Sequence, residues 1–489
     1  MQLLSDLIAR AGIVVDVTGD AAVRIQSLTA DSRQVTPGAL FVAMPGVQTD
    51  GTAFIAEAIR RGAVAVMLAE GAAALDDVAV TLLRVRDVRA AVSAFAAAFY
   101  PEQPRYVMAV TGTDGKTSTA DFVRQLVELS GHKAASIGTL GLRSPDAAHN
   151  AAFPAVNTSP EPILLHKTLA ALAAKNIDYL AVEASSHGLD QKRLDGVTCC
   201  AAAFTNLARD HLDYHPSLEA YFEAKARLFT QVLPAGAVAV LNRDDARYAA
   251  LHALCEARGI AVISFGYHPE STYRIVQVTP HADGLRAQLM LRNKTYDIAL
   301  PLYGAFQLSN MLAAIGLLHG AGMEEVALIG LLPKLSGVPG RLERVATVRG
   351  APVFVDYAHT PAALQNILTT LRSHTAKKLH VVFGCGGNRD AGKRPEMGAV
   401  AAQYADNVIV TDDNPRDENP ATIRAAVLAA APGASAIADR AEAIRTAVQQ
   451  LHTGDVLVVA GKGHETTQII GTQVIHFNDA DEIRKAVAA

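Results

Sequence analysis

Tyr106-Val107-Met108-Ala109-Val110 runs without a break into Thr111-Gly112-Thr113-Asp114-Gly115-Lys116-Thr117-Ser118-Thr119. The first five residues are mostly apolar and partly β-branched, which predicts a buried strand. Residues 121–129 carry apolar side chains at helical spacing, and the pattern stops at Gly131. A strand that turns through two glycines into a helix suits phosphate. Glycines let backbone N–H groups approach phosphate oxygens, and the helix N-terminus adds a favourable dipole. Lys116 can reach the outer phosphates, and the Thr117 hydroxyl can bind Mg²⁺. Val110 stands where the strict eight-residue pattern has its first glycine. A glycine turn with a stray lysine is the bland alternative, and the strand–loop–helix order argues against it.

Outward from this loop the chain alternates. Residues 179–183, 201–206 and 237–242 read as strands, 305–319 as a helix, and 330–340 as loop and linker. Upstream, residues 39–44 read as a buried strand closed by Pro45-Gly46. Residues 54–61 follow as a helix, 63–67 as a strand, and 90–100 as a helix ended by Pro101. Downstream, residues 353–356, 379–384, 407–411 and 455–460 are strands, each followed by a loop rich in Gly, Asp, Asn or Pro. This rhythm predicts largely parallel sheets, whose active groups gather at the carboxyl ends of the strands. Boundaries fall near residues 89 and 337. The expected fold is α/β in three domains, residues 1–88, 89–337 and 338–489. A central phosphate-loop parallel-sheet ATPase domain is flanked by an N-terminal substrate domain and a C-terminal Rossmann-like domain.

Bulk properties agree. A length of 489 residues fits about three domains. Lys plus Arg total 44 against 48 for Asp plus Glu, a net charge of −4 that disfavours nucleic acid as the main partner. Cys199, Cys200, Cys255 and Cys385 show no zinc spacing, which suits a reducing compartment. The N-terminus, Met1-Gln2-Leu3-Leu4-Ser5-Asp6, lacks the basic region and apolar core of a signal peptide. No apolar stretch approaches the roughly 20 residues of a membrane span. A soluble, cytoplasmic enzyme without a membrane partner is expected.

Five further motifs sit at strand ends or close after them. Glu183-Ala184-Ser185-Ser186-His187-Gly188 begins on an acid suited to Mg²⁺, although in isolation a helix-capping Ser-Ser pair explains it better. Asp210-His211-Leu212-Asp213-Tyr214-His215 has His-x₃-His spacing without a third soft ligand. Asp412-Asp413-Asn414-Pro415-Arg416-Asp417 joins a turn-starting Asn-Pro to an arginine suited to a carboxylate; an ordinary charged turn is the alternative. Gly461-Lys462-Gly463-His464-Glu465 and Gly384-Cys385-Gly386-Gly387-Asn388-Arg389-Asp390 complete three such loops in one domain, which argues for a polar small-molecule site. Cys385 lacks a plausible catalytic partner and reads as a packed or lining thiol.

Taken in order, these residues resemble the Mur ligase family over essentially the whole chain. The resemblance rests on Thr111–Thr117, Glu183-Ala184-Ser185-Ser186-His187-Gly188, Thr205-Asn206-Leu207 with Asp210–His215, Tyr303-Gly304-Ala305-Phe306-Gln307-Leu308-Ser309-Asn310, Gly340-Arg341-Leu342-Glu343 and Asp356-Tyr357-Ala358-His359-Thr360-Pro361. Asp413-Asn414-Pro415-Arg416 resembles the diaminopimelate-adding branch rather than the lysine-adding one. The resemblance implies an ATP- and Mg²⁺-dependent amide-forming ligase, a monomer, whose partners are UDP-N-acetylmuramoyl-L-alanyl-D-glutamate and meso-2,6-diaminopimelate. It implies nucleotide contacts from Gly112, Thr113, Asp114, Gly115, Lys116, Thr117, Ser118, Asn310, Arg341 and Asp356, and Mg²⁺ contacts from Thr117, Glu183, His211 and Lys225. Lys116, His211 and Lys225 would be catalytic. Ser32, Gln48, Thr49, Asn157, Thr158, Ser159, Ser185, Gln191 and Arg193 would hold the UDP substrate. Arg389, Asp413, Asn414, Pro415, Arg416, Gly461 and Glu465 would hold diaminopimelate. Lys225 stands where the family carries a carbamylated lysine, whereas its local sequence reads as a surface helix lysine. Asp114 stands where the family usually has Asn, and Ala30 and Val47 lie among the substrate positions without polar side chains. Two other readings remain: a folylpolyglutamate synthase-like or lysine-adding ligase, and a phosphate-loop switch that spends ATP on conformational work.

Overall fold

The computed structural model describes residues 1–46, 50–72, 79–153 and 157–488. The chain forms two compact units, Met1–Ser271 with Leu312–Leu328, and Thr272–Met311 with Ile329–Ala489. Among the described residues no helix is long and apolar enough to cross a membrane.

Besides a two-stranded antiparallel pair, Gln2–Leu3 with Arg24–Ile25, the first unit holds two large sheets. The N-terminal one orders its strands Asp16–Thr18, Thr81–Val85, Ala63–Ala69, Ala39–Val42, Ser27–Thr29, parallel except for the first. Leu40, Val42, Met67 and Leu83 pack there against Val92 and Phe95 of the helix Val88–Phe99. The second sheet runs Gly141–Arg143, Ala134–Gly138, Tyr179–Glu183, Tyr106–Thr111, Ala201–Phe204, Val238–Asn242, Ala261–Gly266, parallel except for Gly141–Arg143. Its central strands are buried on both faces, hence the unbroken apolar runs of Val107–Val110 and Ala201–Phe204. The register pairs Val110 with Glu183 and Thr111 with Phe204. Gly112, Ala184 and Thr205 therefore leave the sheet at one edge, the carboxyl end where polar ligands are met.

The second unit contains an antiparallel meander, Tyr273–His281, Gly284–Leu291 and Lys294–Leu300. Arg292 and Asn293 turn the last hairpin with φ of 43° and 69°, the left-handed pair that a two-residue hairpin loop requires. A six-stranded sheet follows in the order Glu343–Val348, Ala351–Asp356, Val456–Ala460, Leu379–Phe383, Asn407–Val410, Ser435–Ala436, with only the first pair antiparallel. All four expected strands are present, and Asp356 registers with Ala460 and Phe383 with Val410. One expectation is corrected: residues 330–340 are not simply a linker. The helix Glu325–Leu331 passes into a 3₁₀ turn, Leu332–Lys334, because Pro333 lies in its first turn, where no N–H is needed, and Leu332 is buried.

Candidate active site

The phosphate loop has the geometry its sequence demands. Gly112 has φ of 147°, and a Cβ there would stand 1.8 Å from Thr205 Oγ1, so only glycine fits. Gly115 caps the helix Lys116–Leu129 in the left-handed region. Thr205 Oγ1 donates to the Asp114 carbonyl at 2.6 Å, and the Asp114 N–H donates to Asn206 Oδ1 at 2.9 Å. The Asp114 backbone is thus pinned while its side chain is exposed. Lys116 Nζ donates to the carbonyls of Gly112 at 2.9 Å and Thr113 at 2.7 Å.

Glu183 lies beside this loop and is buried. Its Oε2 accepts from Thr117 Oγ1 at 3.0 Å and Thr139 Oγ1 at 3.1 Å, and Oε1 accepts from the Thr139 N–H at 2.9 Å. A Cβ on Gly138 would meet Oε1 at 2.0 Å, so the neighbouring strand needs glycine for the carboxylate to sit there. Hydroxyl and carboxylate oxygens are the donors that a hard divalent cation prefers, and Thr117 with Glu183 fits Mg²⁺. Ser185 both caps the helix Ser186–Asp190 and approaches Ser159, with 3.1 Å between hydroxyls, so the capping and site readings hold together. Ser159 Oγ donates to the Glu183 carbonyl at 2.8 Å, and Arg193 Nη1 donates to the Ser159 carbonyl at 2.8 Å. Arg193 Nη2 also reaches Gln191 Oε1 at 2.8 Å, and Thr158 Oγ1 lies 3.3 Å from Thr139 Oγ1. Thr158, Ser159, Ser185, Gln191 and Arg193 therefore form one hydrogen-bonded polar cluster running from Glu183, with Ser159 buried and Asn157 exposed at its start. Ser32 belongs to the N-terminal sheet region, where its hydroxyl donates to Glu57 Oε2 at 3.0 Å. Gln48, Thr49 and Val47 lie outside the described residues.

Lys225 corrects a sequence expectation. It is 1% exposed rather than a surface lysine. Its Nζ donates to the Gly112 carbonyl at 2.7 Å and lies 4.3 Å from the centre of the Tyr221 ring. Burial first, and then the charge of Lys116, pull its ammonium well below the ordinary lysine value, against the opposing charges of Asp210 and Asp114. The helix Leu218–Arg227 carries it to the underside of the phosphate loop. His211, with φ of 53°, joins a cluster of rings: His187 at 4.9 Å and Tyr221 at 6.1 Å between centroids, with His215 5.2 Å from Tyr221 and tilted by 44° to it. Tyr221 ties the cluster to the loop, its hydroxyl 3.2 Å from Thr113 Oγ1. Among the described residues no three His, Cys, Asp or Glu side chains gather as a metal-holding group, so the His-x₃-His spacing makes ring contacts and not a zinc cage.

The second unit assembles its own polar groups. Buried Asp356 accepts the N–H of Leu342 at 2.7 Å and of Ala358 at 2.8 Å. Burial raises its pKa, against the charge of Arg341, which lies over the Tyr357 ring at 5.0 Å. Asn310 is buried and donates to Gln307 at 3.0 Å. In the Asp413–Arg416 loop, Asn414 Nδ2 donates to Glu465 Oε2 at 3.0 Å, and Arg416 Nη1 donates to the Gly387 carbonyl at 2.7 Å. Gly461 is so close to Asp413 that a Cβ would meet Oδ2 at 2.8 Å. Pro415 is buried, and Arg389 is exposed two residues beyond Gly387. Cys385 is buried, its Sγ 3.6 Å from Met397 Sδ, and burial pushes its thiol up to about 11, so it is an inert packed thiol.

Sequence reasoning missed several residues here. A short hairpin, Thr467–Ile470 with Gln473–His476, pins the Asp413–Arg416 loop. Gln468 Nε2 donates to the Asp413 carbonyl at 2.7 Å, the Ile469 N–H to Asn414 Oδ1 at 3.0 Å, and the Arg416 N–H to the Ile469 carbonyl at 3.1 Å. Thr139 and Tyr221 were also missed, and Asn206 and Lys462 stood inside quoted motifs without a role of their own; each acts through a tertiary contact.

A phosphate loop at the carboxyl edge of a parallel sheet, with a buried acid on its Thr117 and a polar cluster alongside, defines a phosphate-loop nucleotide-binding α/β enzyme. Family descriptions match along the chain: "Mur ligase family, catalytic domain" over residues 24–100, "Mur ligase middle domain" over 110–318, and "Mur ligase, glutamate ligase domain" over 340–463. The chain belongs to the Mur ligase family. It is 48% identical over 480 residues to a UDP-N-acetylmuramoyl-L-alanyl-D-glutamate–2,6-diaminopimelate ligase of Mesorhizobium japonicum, covering 98% of each chain. It is 47% identical to the Bradyrhizobium diazoefficiens protein of that name, covering 96% of each. A solved structure titled with the same activity superposes with a TM-score of 0.71 at 34% identity, covering 95% of each chain.

Proposed function

We propose that this protein joins meso-2,6-diaminopimelate to UDP-N-acetylmuramoyl-L-alanyl-D-glutamate with ATP. A carboxylate is a poor electrophile. Transfer of the γ-phosphoryl group of ATP to the terminal D-glutamyl carboxylate gives an acyl phosphate and ADP. The acceptor amine attacks the acyl carbon, the tetrahedral intermediate expels phosphate, and the amine loses a proton as the amide forms. The protein's part is alignment and neutralisation of phosphate charge. In this reading Lys116 and the loop N–H groups hold the phosphates, and Asn310, Arg341 and Asp356 contact the nucleotide. The cluster from Thr158 to Arg193 and the N-terminal residues around Ser32 hold the UDP substrate. Thr117 and Glu183 hold Mg²⁺, which offsets charge on the transferring phosphoryl group when bound. His211 stands by as a further ligand.

Lys225 as an ammonium would repel that cation. Its burial favours the neutral amine, the form that reacts with carbon dioxide, and the resulting carbamate is an oxygen donor of the right charge. We infer that Lys225 acts in that form. Asp413, Asn414, Arg416, Gly461, Glu465 and Arg389 receive diaminopimelate. The three-part division at residues 89 and 337 belongs to the same proposal.

The observation that carries the reading is the Asp413–Arg416 loop, fixed by Glu465 and the hairpin, in a chain 48% identical throughout to a relative bearing that activity. Product analysis tests it. Incubation with the UDP-muramoyl dipeptide, ATP, Mg²⁺ and either meso-diaminopimelate or L-lysine gives the diaminopimelate-containing tripeptide product, ADP and phosphate. Turnover of ATP without an amide product, or equal use of lysine, refutes it.

A further inference from the structure

Lys462 has no part in the roles above, yet it is 0% exposed. A buried ammonium persists only where its charge and its donors are matched. Lys462 Nζ donates to Asn414 Oδ1 at 3.1 Å and to Glu465 Oε2 at 2.9 Å. Asn414 Nδ2 donates to that same carboxylate oxygen at 3.0 Å, and the Ile469 N–H donates to Asn414 Oδ1 at 3.0 Å. The amide can face only one way: Oδ1 meets two donors and Nδ2 meets the carboxylate. Both side-chain bonds to Glu465 land on Oε2. Among the described residues no hydrogen bond falls on Oε1.

We propose that Lys462 is the positioning residue of the amino-acid site: from beneath, it locks Asn414 to Glu465 and supplies the counter-charge that leaves Glu465 Oε1 to receive an ammonium group of the incoming amino acid. This rests on the reading of that site given above. Burial pushes the Glu465 carboxyl up. The charge of Lys462 and the bonds from Lys462 and Asn414 more than offset that push and hold it below the ordinary carboxylate value. The other groups around Glu465 do not substitute for Lys462. Buried Arg440 is paired with Asp479 through Nε at 2.7 Å and Nη2 at 2.8 Å, and its Nη2 also bonds the Ala460 carbonyl. His464 is held neutral, its pKa lowered to about 4 by burial and by the charge of Arg341. Asp413 and the Tyr357 hydroxyl offer no positive charge.

The test measures KM for meso-diaminopimelate, ATP and the UDP substrate between about pH 6 and about pH 8. In the wild-type enzyme the amino-acid KM shows no carboxylate titration in that window; one there overturns the proposal. Lys462→Met keeps the length and removes the charge. Its amino-acid KM rises about tenfold or more at the low end and recovers as pH rises, a factor of ten for each unit by which the raised Glu465 pKa exceeds the pH. KM for ATP and for the UDP substrate stays within about twofold, since neither meets Glu465. The double variant Lys462→Met with Glu465→Gln buries no charge and has no carboxyl to titrate, so its amino-acid KM is high and independent of pH. An unchanged amino-acid KM in Lys462→Met, an equal rise in all three constants, or a pH dependence that survives in the double variant overturns the proposal. If the variants do not fold, the wild-type profile decides. Arg416→Ala separates the two levels. If it and Lys462→Met both leave the amino-acid KM unchanged, the site reading itself fails. If only Lys462→Met does, the role of Lys462 alone fails.

Discussion

Replacement of Arg416 by alanine tests acceptor choice most directly. Diaminopimelate differs from lysine by a second carboxylate, and a planar guanidinium can bind it through two parallel hydrogen bonds. The sequence alone suggests that lysine would leave this arginine desolvated and unpaired, at about 2–5 kcal/mol. The structure lowers that figure. Arg416 is half-buried, and its Nη1 keeps the Gly387 carbonyl at 2.7 Å whichever amino acid is bound. Only one edge of the guanidinium loses its partner, so the cost lies at the lower end, about 2–3 kcal/mol. At about 1.4 kcal/mol per decade that is a preference of about 30- to 150-fold. The assay is kcat/KM for meso-diaminopimelate and for L-lysine in wild type, Arg416→Ala and Arg416→Lys. Wild type shows the full ratio. Alanine brings it close to unity by lowering the diaminopimelate value, and lysine at this position, a point charge without a fork, falls between. Arg416 sits at φ of 52°, where alanine is no more strained than arginine, so backbone strain does not confound the comparison. Equal use of the two acceptors by wild type, or an undiminished ratio in Arg416→Ala, refutes the reasoning.

Other consequences follow from the same geometry. Lys116→Ala removes the charged contact to the transferring phosphoryl group and lowers kcat by about 10²–10³; near-wild-type turnover of a folded variant contradicts the assignment. Lys225→Ala is largely inactive and is partly rescued by short carboxylic acids, which return oxygen donors to the buried space; full activity without additive rejects the carbamate. His166 is 2% exposed, and burial lowers its pKa to about 4. Because the folded pKa lies below the unfolded value of 6.5, its neutral form contributes fully above pH 6.5, and that stability is lost as pH falls towards 4. The loss reaches up to about 3 kcal/mol. His166→Leu therefore loses less stability between neutral and acid pH in denaturant titrations, and an unaltered acid slope counts against the account.

The phosphate loop was legible because a backbone constraint writes itself into sequence: only glycine fits at Gly112, against Thr205. Glu183 was visible as an acid at a strand end, but its partners were not. Thr139 and Gly138 reach it through the parallel pairing of Ala134–Gly138 with Tyr179–Glu183, and no spacing along the chain records that pairing. The meander Tyr273–Leu300 carries a usable signal, alternating residues with two-residue turns at Ala282-Asp283 and Arg292-Asn293, but it is embedded in a βα rhythm that masks it. Lys225 shows why local pattern can mislead. Glu223 and Arg227 flank it, and such a neighbourhood marks a solvated face. The ammonium is buried because the Gly112 carbonyl and the Tyr221 ring meet it from elsewhere in the fold. The Asp413–Arg416 loop takes this furthest. Its residues could be named from sequence, but what holds them lies some fifty residues on, in Lys462, Glu465, Gln468 and Ile469. Two of those contacts use a backbone group on one side, the Asp413 carbonyl and the Ile469 N–H, so the side chains of Asp413 and Ile469 can change while the bond persists. A site held this way keeps its geometry when Ile469 changes, whereas Gln468 must keep a side-chain donor, and at Lys462 and Glu465 charge must be matched by charge.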